Sequence, residues 1–134
     1  TIEGHPNELN PNKRPVHTII PAMISNSDKL IGSFGVMGGQ YQAAGHAYVL
    51  SQMIDFGLNP QLALNYPRIF PNNNILDIEK GFDKEIVNEL KLRGHAINYP
   101  SLPIGGGQMI LMDEERDILI GASDWRKDGL AIGY

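Results

Sequence analysis

The chain has 134 residues, 42% of them hydrophobic, and a net charge of −4 from 11 Lys and Arg against 15 Asp and Glu. That length and apolar content fit one folded domain, and an acidic balance with no Lys/Arg cluster argues against nucleic acid as a partner. The lack of cysteine excludes disulfides, thiolate metal sites and a Cys nucleophile, and no apolar run approaches the ~20 residues of a membrane span.

The first seventeen residues, TIEGHPNELNPNKRPVH, hold three prolines and no periodic apolar pattern; they read as an extended arm or loop, residues 1–17. Thr18 to Asn26 reads as a strand, with Pro21 marking an edge or bulge. Ser27-Asp28-Lys29 is a turn, and Leu30 to Val36 the second strand of a hairpin. Residues Gln40 to Phe56 carry Ala43, Ala47, Leu50 and Ile54 at helical spacing, and Gly57 suits the position just past a helix end. Asn59-Pro60 opens a second short helix, with Asn59 as N-cap and Pro60 at its first position, ending before Pro67. Ile75 to Glu79 reads as a strand. Asp83 caps a third helix reaching Arg93, with Ile86, Val87 and Leu90 as its apolar stripe and Gly94 as its stop. Met109 to Asp113 and Ile118 to Ala122 read as a second hairpin. No repeat or internal linker interrupts residues 18–134, and the order of elements predicts an α+β or layered α/β arrangement. No secretory leader opens the chain, and its composition leaves localisation open.

Gly38-Gly39 stands where a strand hands over to a helix. Glycine lets backbone N–H groups approach a ligand closely, and a helix start presents free donors with positive dipole. The pair therefore serves either as a tight turn or as a cradle for a carboxylate, a phosphate or a developing oxyanion. Lys13-Arg14-Pro15-Val16-His17-Thr18 places a basic pair, an imidazole and a hydroxyl before an apolar strand, a set suited to a carboxylate or simply a solvated loop. His5, His17, His46 and His95 show no metal-binding spacing, and His46, in the long helix, reads as a packing or surface residue. Asp113, Glu114, Glu115 and Asp117 read as a solvated hairpin tip. Asp124 and Arg126 are placed to pair with each other or with another chain. An N-terminal Thr can act as a nucleophile with its own amine as base, but the loop-like residues after Thr1 would not hold it rigidly, which disfavours that role.

Several segments, PNKRPVHTIIPAMI, GSFGVMGGQYQAAGHAYVLSQMIDFGLNPQLALNYPRI, EKGF, GGGQMILMD and GASDWRKDGLAIGY, together resemble the C-terminal part of the small subunit of gamma-glutamyltranspeptidases, over Pro11 to Tyr134. The resemblance implies the four-layer αββα sandwich of the N-terminal nucleophile hydrolases, of which this chain would be a part, residues 18–134 belonging to the catalytic domain. It implies that Gly38 and Gly39 form the oxyanion hole for a Thr acyl-enzyme, and that His17 and Thr18 take the place of the family's carboxylate-binding serine pair. His17 is larger than serine and can carry charge, so this variation resembles the divergent, transpeptidase-like branch. The family's nucleophile segment has no counterpart here, so the resemblance implies a nucleophile outside this chain, with the large subunit and the N-terminal part of the small subunit as partners. The implied substrate is a small gamma-glutamyl or other acyl amide, and neither metal nor organic cofactor is implied. Two rivals stand beside this reading: a cephalosporin-acylase-like hydrolase on the same scaffold, and a non-catalytic interaction domain.

Overall fold

A computed structural model describes residues 2–134. Seven strands and three helices follow in the order β1 (Ala22–Asn26), β2 (Lys29–Met37), α1 (Tyr41–Ile54), α2 (Pro60–Asn65), β3 (Ile69–Asn72), β4 (Ile75–Ile78), α3 (Lys84–Leu92), β5 (Ala96–Asn98), β6 (Gly106–Asp113) and β7 (Ile118–Ser123). They build an antiparallel four-stranded sheet ordered β1-β2-β6-β7 and a smaller sheet ordered β3-β4-β5. The architecture is α+β.

The larger sheet has two unlike faces. Ala22, Phe34, Met109 and Ala122 are successive cross-strand partners, so their side chains share one face. That face lies under α1 and α2, and Phe34, Val36, Met109 and Ala122 join Tyr41, Val49, Ala63, Leu64 and Ile104 in one core. The neighbouring row, Met23, Ser33, Ile110 and Gly121, points the other way. On that second face Met23, Met37, Ile110, Met112 and Leu119 are all exposed.

Helix α1 approaches β2 closely because Gly45 sits at the contact. A Cβ there would lie 2.6 Å from Val36 Cγ1 and 2.6 Å from Tyr41 Cε1. The cost of an interior helical glycine, ~1 kcal/mol relative to Ala, is offset by the packing it permits. The buried residues of α1 are accordingly Tyr41, Gly45, Val49 and Gln52. This corrects the stripe expected from periodicity: Ala43, Ala47 and Ile54 are exposed, and only Leu50 packs partly against the core. The decisive contact is a glycine, which carries no hydropathy signal.

Strand β1 begins at Ala22 rather than Thr18. Pro21 cannot donate to a ladder, and residues 18–21 leave the sheet. Val36, beyond the last β1 pairing at Phe34, instead donates its N–H to His46 Nε2 at 3.3 Å, while His46 Nδ1 lies 2.7 Å from Gln42 O. Both contacts fit a neutral imidazole, with Nδ1–H as donor. Of its two expected roles, packing or surface, His46 takes the first, its ring centre 4.9 Å from that of Phe34.

Helix α2 opens as expected, Asn59 Oδ1 accepting from Leu62 N–H at 2.9 Å with Pro60 at the first position. Asp83 precedes α3 without a side-chain capping bond, and of the expected stripe only Val87 is buried. Strands β3 and β5 are additional to those expected. Strand β3 lies at a sheet edge, where Pro71 is tolerated, and Asn73-Asn74 link it to β4 with φ of +48° and +64°. Two left-handed residues match a type I′ hairpin turn, a conformation asparagine adopts readily. Strand β5 pairs parallel to β4 after the α3 crossover and has only three residues.

Candidate functional site at the glycine turn

Strand β2 ends at Met37, paired to Gly106, and α1 begins at Tyr41. Between them Gly38 and Gly39 have φ of +134° and +58°, regions that suit glycine. Tyr41 N–H donates to Gly38 O and Gln42 N–H to Gly39 O, both at 3.1 Å. Among the turn and loop hydrogen bonds of the described residues, both glycine carbonyls are used and neither glycine N–H is. Gln40 supplies no side-chain cap, and the first turn of α1 holds no acidic residue. The helix start therefore keeps its positive character.

The turn opens into a cleft of about 780 Å3 that runs along the open face of β2 and β6. Residues Thr18 to Met23 form one wall, and Gln42 and Gly106 to Ile110 border it too. Gln42 Nε2 donates to Thr18 O at 2.7 Å, tying this wall to α1. The structure thus brings Thr18, Gly38 and Gly39 to a single cleft. His17 is exposed and is not among the cleft's lining residues. Thr1 lies outside the described residues.

The remaining candidates lie elsewhere. Asp113 accepts from Arg116 N–H at 3.1 Å and from Arg116 Nη1 at 3.0 Å, and Glu114 pairs with Lys29 at 2.7 Å across an exposed surface, so the acidic tip is a solvated hairpin end. The Glu114 carboxylate raises the Lys29 pKa. His5 Nδ1 accepts from Asn7 N–H within the arm, and His95 is exposed. Among the described residues, no group of three or more His, Asp or Glu side chains is placed to hold a metal ion, and no helix is long and apolar enough to cross a membrane.

Behind the turn lies a buried ionic cluster. Asp124 and Arg126 pair with each other at 3.1 Å, and they also reach two residues that sequence reasoning missed, Arg68 and Glu79. Arg68 Nη2 donates to Asp124 Oδ2 at 2.5 Å, and Arg126 donates to Glu79 from Nε at 2.8 Å and from Nη2 at 2.5 Å. Arg68 and Asp124 are wholly buried, and Glu79 and Arg126 nearly so. Burial pushes the Glu79 carboxyl upward, but Arg126 and the N–H groups of Ile104 and Arg68 outweigh it and hold the pKa below its ordinary value. Burial likewise works to lower the Arg126 pKa, and its hydrogen bonds with Glu79 and the Asp124 charge reverse the sign and raise it. Beside them Tyr41 stacks edge-on against Phe70 and lies under the Arg68 guanidinium, 5.7 Å from its ring centre. Burial pushes its hydroxyl up to about 12 despite both arginines, so it stays neutral. The available signal for Arg68 and Glu79 was a charge set at the edge of an apolar run, in YPRIF and ILDIE.

The gamma-glutamyltranspeptidase family profile matches residues 2–134. The chain belongs to that family. Among curated relatives, it is 33% identical to a glutathione hydrolase-like proenzyme, YwrD, of Bacillus subtilis, over 98% of this chain and 26% of that one. It is 30% identical to the glutathione hydrolase proenzyme of the same organism, over 98% of this chain and 23% of the other. It therefore spans about a quarter of the length of the curated relatives it matches. Among solved structures, cephalosporin acylase from Bacillus halodurans superposes with a TM-score of 0.80 at 40% identity, over 98% of this chain and 26% of that one. The gamma-glutamyltranspeptidase from Pseudomonas nitroreducens, complexed with L-DON, superposes with a TM-score of 0.80 at 20% identity, over 100% of this chain and 71% of that one, a likeness of fold. Within the family the glycine turn, the cleft and the ionic cluster described above all belong to this chain's own residues.

Proposed function

We propose that this chain is the oxyanion-binding part of an amide-bond hydrolase or acyltransferase of the gamma-glutamyltranspeptidase type. One observation carries the reading: at Gly38-Gly39 two backbone N–H groups, without a partner among the turn and loop hydrogen bonds of the described residues, stand beside an open cleft at a helix start that has no side-chain cap. Donors preorganised in this way stabilise the charge that develops on a carbonyl oxygen under attack, and removing one such donor typically costs ~3 kcal/mol of transition-state stabilisation. In the proposed reaction a Thr hydroxyl from a segment outside this chain attacks the acyl carbonyl. The Oγ–C bond forms, the carbonyl oxygen takes the negative charge at the glycine turn, and the C–N bond breaks as the amine leaves with a proton. Water or an amino acid then attacks the acyl-enzyme, releasing the acid or a new amide and restoring the hydroxyl.

In this reading Thr18, on the cleft wall, contacts the carboxylate end of the substrate, and His17 lies next to it in sequence. Residues 18–134 form the C-terminal part of the small-subunit catalytic domain, residues 1–17 are an arm, and the large subunit and the rest of the small subunit complete the active site. Alone, the chain is inactive.

A second reading, a cephalosporin-acylase-like amidohydrolase, draws on the cleft itself. Ile19, Ile20, Met23, Met37 and Ile110 give it apolar walls that suit a bulkier acyl chain than glutamyl. Intact mass measurement and N-terminal sequencing of every chain in the purified gene product test the shared premise. A companion chain beginning with Thr is expected; a catalytically silent protein without one would favour the interaction-domain alternative. Turnover of a gamma-glutamyl anilide against a bulkier acyl amide separates the two enzyme readings, and Gly39→Val should abolish either activity.

A further inference from the structure

The buried ionic cluster holds one specific segment of backbone by both ends. Ile104 is gripped through its N–H, which donates to Glu79 Oε1 at 2.8 Å, and through its carbonyl, which accepts from Arg68 Nη1 at 2.8 Å. Gly107 is gripped through its N–H, which donates to Asp124 Oδ2 at 2.9 Å, and through its carbonyl, which accepts from Asp124 N–H at 3.1 Å. Arg126 braces both carboxylates, donating to Asp124 Oδ1 and to both oxygens of Glu79. Arg126 is itself anchored to the carbonyls of Leu64 and Tyr66.

Between the two gripped residues lies Gly105, directly against the glycine turn. A Cβ on Gly38 would stand 3.0 Å from Gly105 Cα, and a Cβ on Gly105 would stand 2.5 Å from Met37 O. The turn therefore rests on a backbone platform that the four charged side chains fix. Buried ion pairs bring little net stability over apolar packing of the same volume, so a cluster that grips one backbone segment at both ends has its clearest use in placement.

We propose that Arg68, Glu79, Asp124 and Arg126 are positioning residues that hold the Ile104–Gly107 platform, and through it set the aim of the Gly38 and Gly39 N–H groups. The proposal rests on the oxyanion-hole reading of the turn. A displacement of these donors near 1 Å is enough to lose on the order of 100-fold in rate.

The test uses the complete gene product that contains this chain, with active sites titrated. Asp124→Asn keeps the shape and removes the charge. It should lower kcat per active site by about 10- to 100-fold while KM and inhibition by the free acid product stay within about twofold. Affinity for a boronic-acid analogue of the acyl group, which mimics the tetrahedral oxyanion, should fall by the same factor as kcat. Glu79→Gln repeats the test through the other end of the platform, and serves if Asp124→Asn does not fold. Lys29→Ala, on the far exposed surface, should leave kcat unchanged. A lower melting temperature with unchanged kcat per titrated site in Asp124→Asn and Glu79→Gln would reduce the cluster to a structural role and overturn the proposal. Gly38→Ala separates the two levels. If it lowers kcat while both cluster variants do not, the positioning claim alone fails. If it leaves kcat and boronate affinity unchanged, the oxyanion-hole reading fails with it.

Discussion

The two faces of the four-stranded sheet are built from the same strands, yet they are finished differently. Under α1 and α2 the alternate residues Phe34, Val36, Met109 and Ala122 are sealed into a core. One residue along each strand, the opposite face presents Met23, Met37, Ile110, Met112 and Leu119 to solvent among the described residues. Exposed apolar surface of this kind is uncommon on a free-standing protein, and Met23, Met37 and Ile110 of it line the cleft. The closed face is where this chain supplies its own stability. In the proposed reading, the open face is the apolar surface that the remaining layers of the sandwich would bury.

The largest expected effect lies behind the closed face. Asp124→Ala leaves two buried guanidinium groups without a shared carboxylate, and loss of one partner from a buried ionic pair costs about 3–5 kcal/mol. Denaturant unfolding of the complete gene product should show it as a lowered midpoint. The next pair of variants bears on the comparison itself. Met109→Ala on the closed face should cost about 2–5 kcal/mol. If a second sheet covers the open face, Ile110→Ala, the adjacent residue, should cost a comparable amount. A change within about 0.5 kcal/mol, as at ordinary surface positions, would show that Ile110 stays in water and would break the four-layer expectation.

Much of this arrangement was legible in the sequence. Both hairpins of the large sheet, the start of α2 at Asn59-Pro60 and the strand-to-helix step at Gly38-Gly39 follow from local rules of turn and cap chemistry. What escaped were features set by distant partners. The buried face of α1 is chosen by Gly45 meeting Val36 and Tyr41, a contact invisible to an apolar count. Strand β5 is too short to announce itself and exists because β4 accepts it after the α3 crossover. Strand β3 was hidden by Pro71 within it and Pro67 just before it, although Asn73-Asn74 carried the turn signal. The site divided in the same way. The glycines are recognisable because their backbone geometry is local. Arg68 and Glu79 are not, because their role depends on Asp124 and Arg126, some fifty residues away in the chain.

Acid should act on the closed side of the molecule through Glu79. Its folded pKa is depressed below the ordinary value of 4.5 by Arg126 and two backbone N–H groups that outweigh burial. The unfolded chain therefore binds the proton first as pH falls, and stability drops where the unfolded state holds more protons. The contribution of Glu79 is complete above pH 4.5 and is lost progressively as pH falls through the folded value. Glu79→Gln should be less stable near neutrality and should flatten the acid limb of a plot of unfolding midpoint against pH. An unchanged acid limb would mean that other carboxylates govern it.

The smallest effect belongs to the edge of the closed face. Asn59 Oδ1 satisfies one N–H at the start of α2, the helix that carries Ala63 and Leu64 into the core. Asn59→Ala removes that acceptor without touching the core, and should cost about 1 kcal/mol. Asn59→Asp keeps the acceptor and adds a charge that favours a helix N-terminus, so it should recover most of that loss. Both differences are readable as shifts in the unfolding midpoint. Equal midpoints for Asn59→Ala and the parent would show that packing of Ala63 and Leu64 alone holds α2 in place.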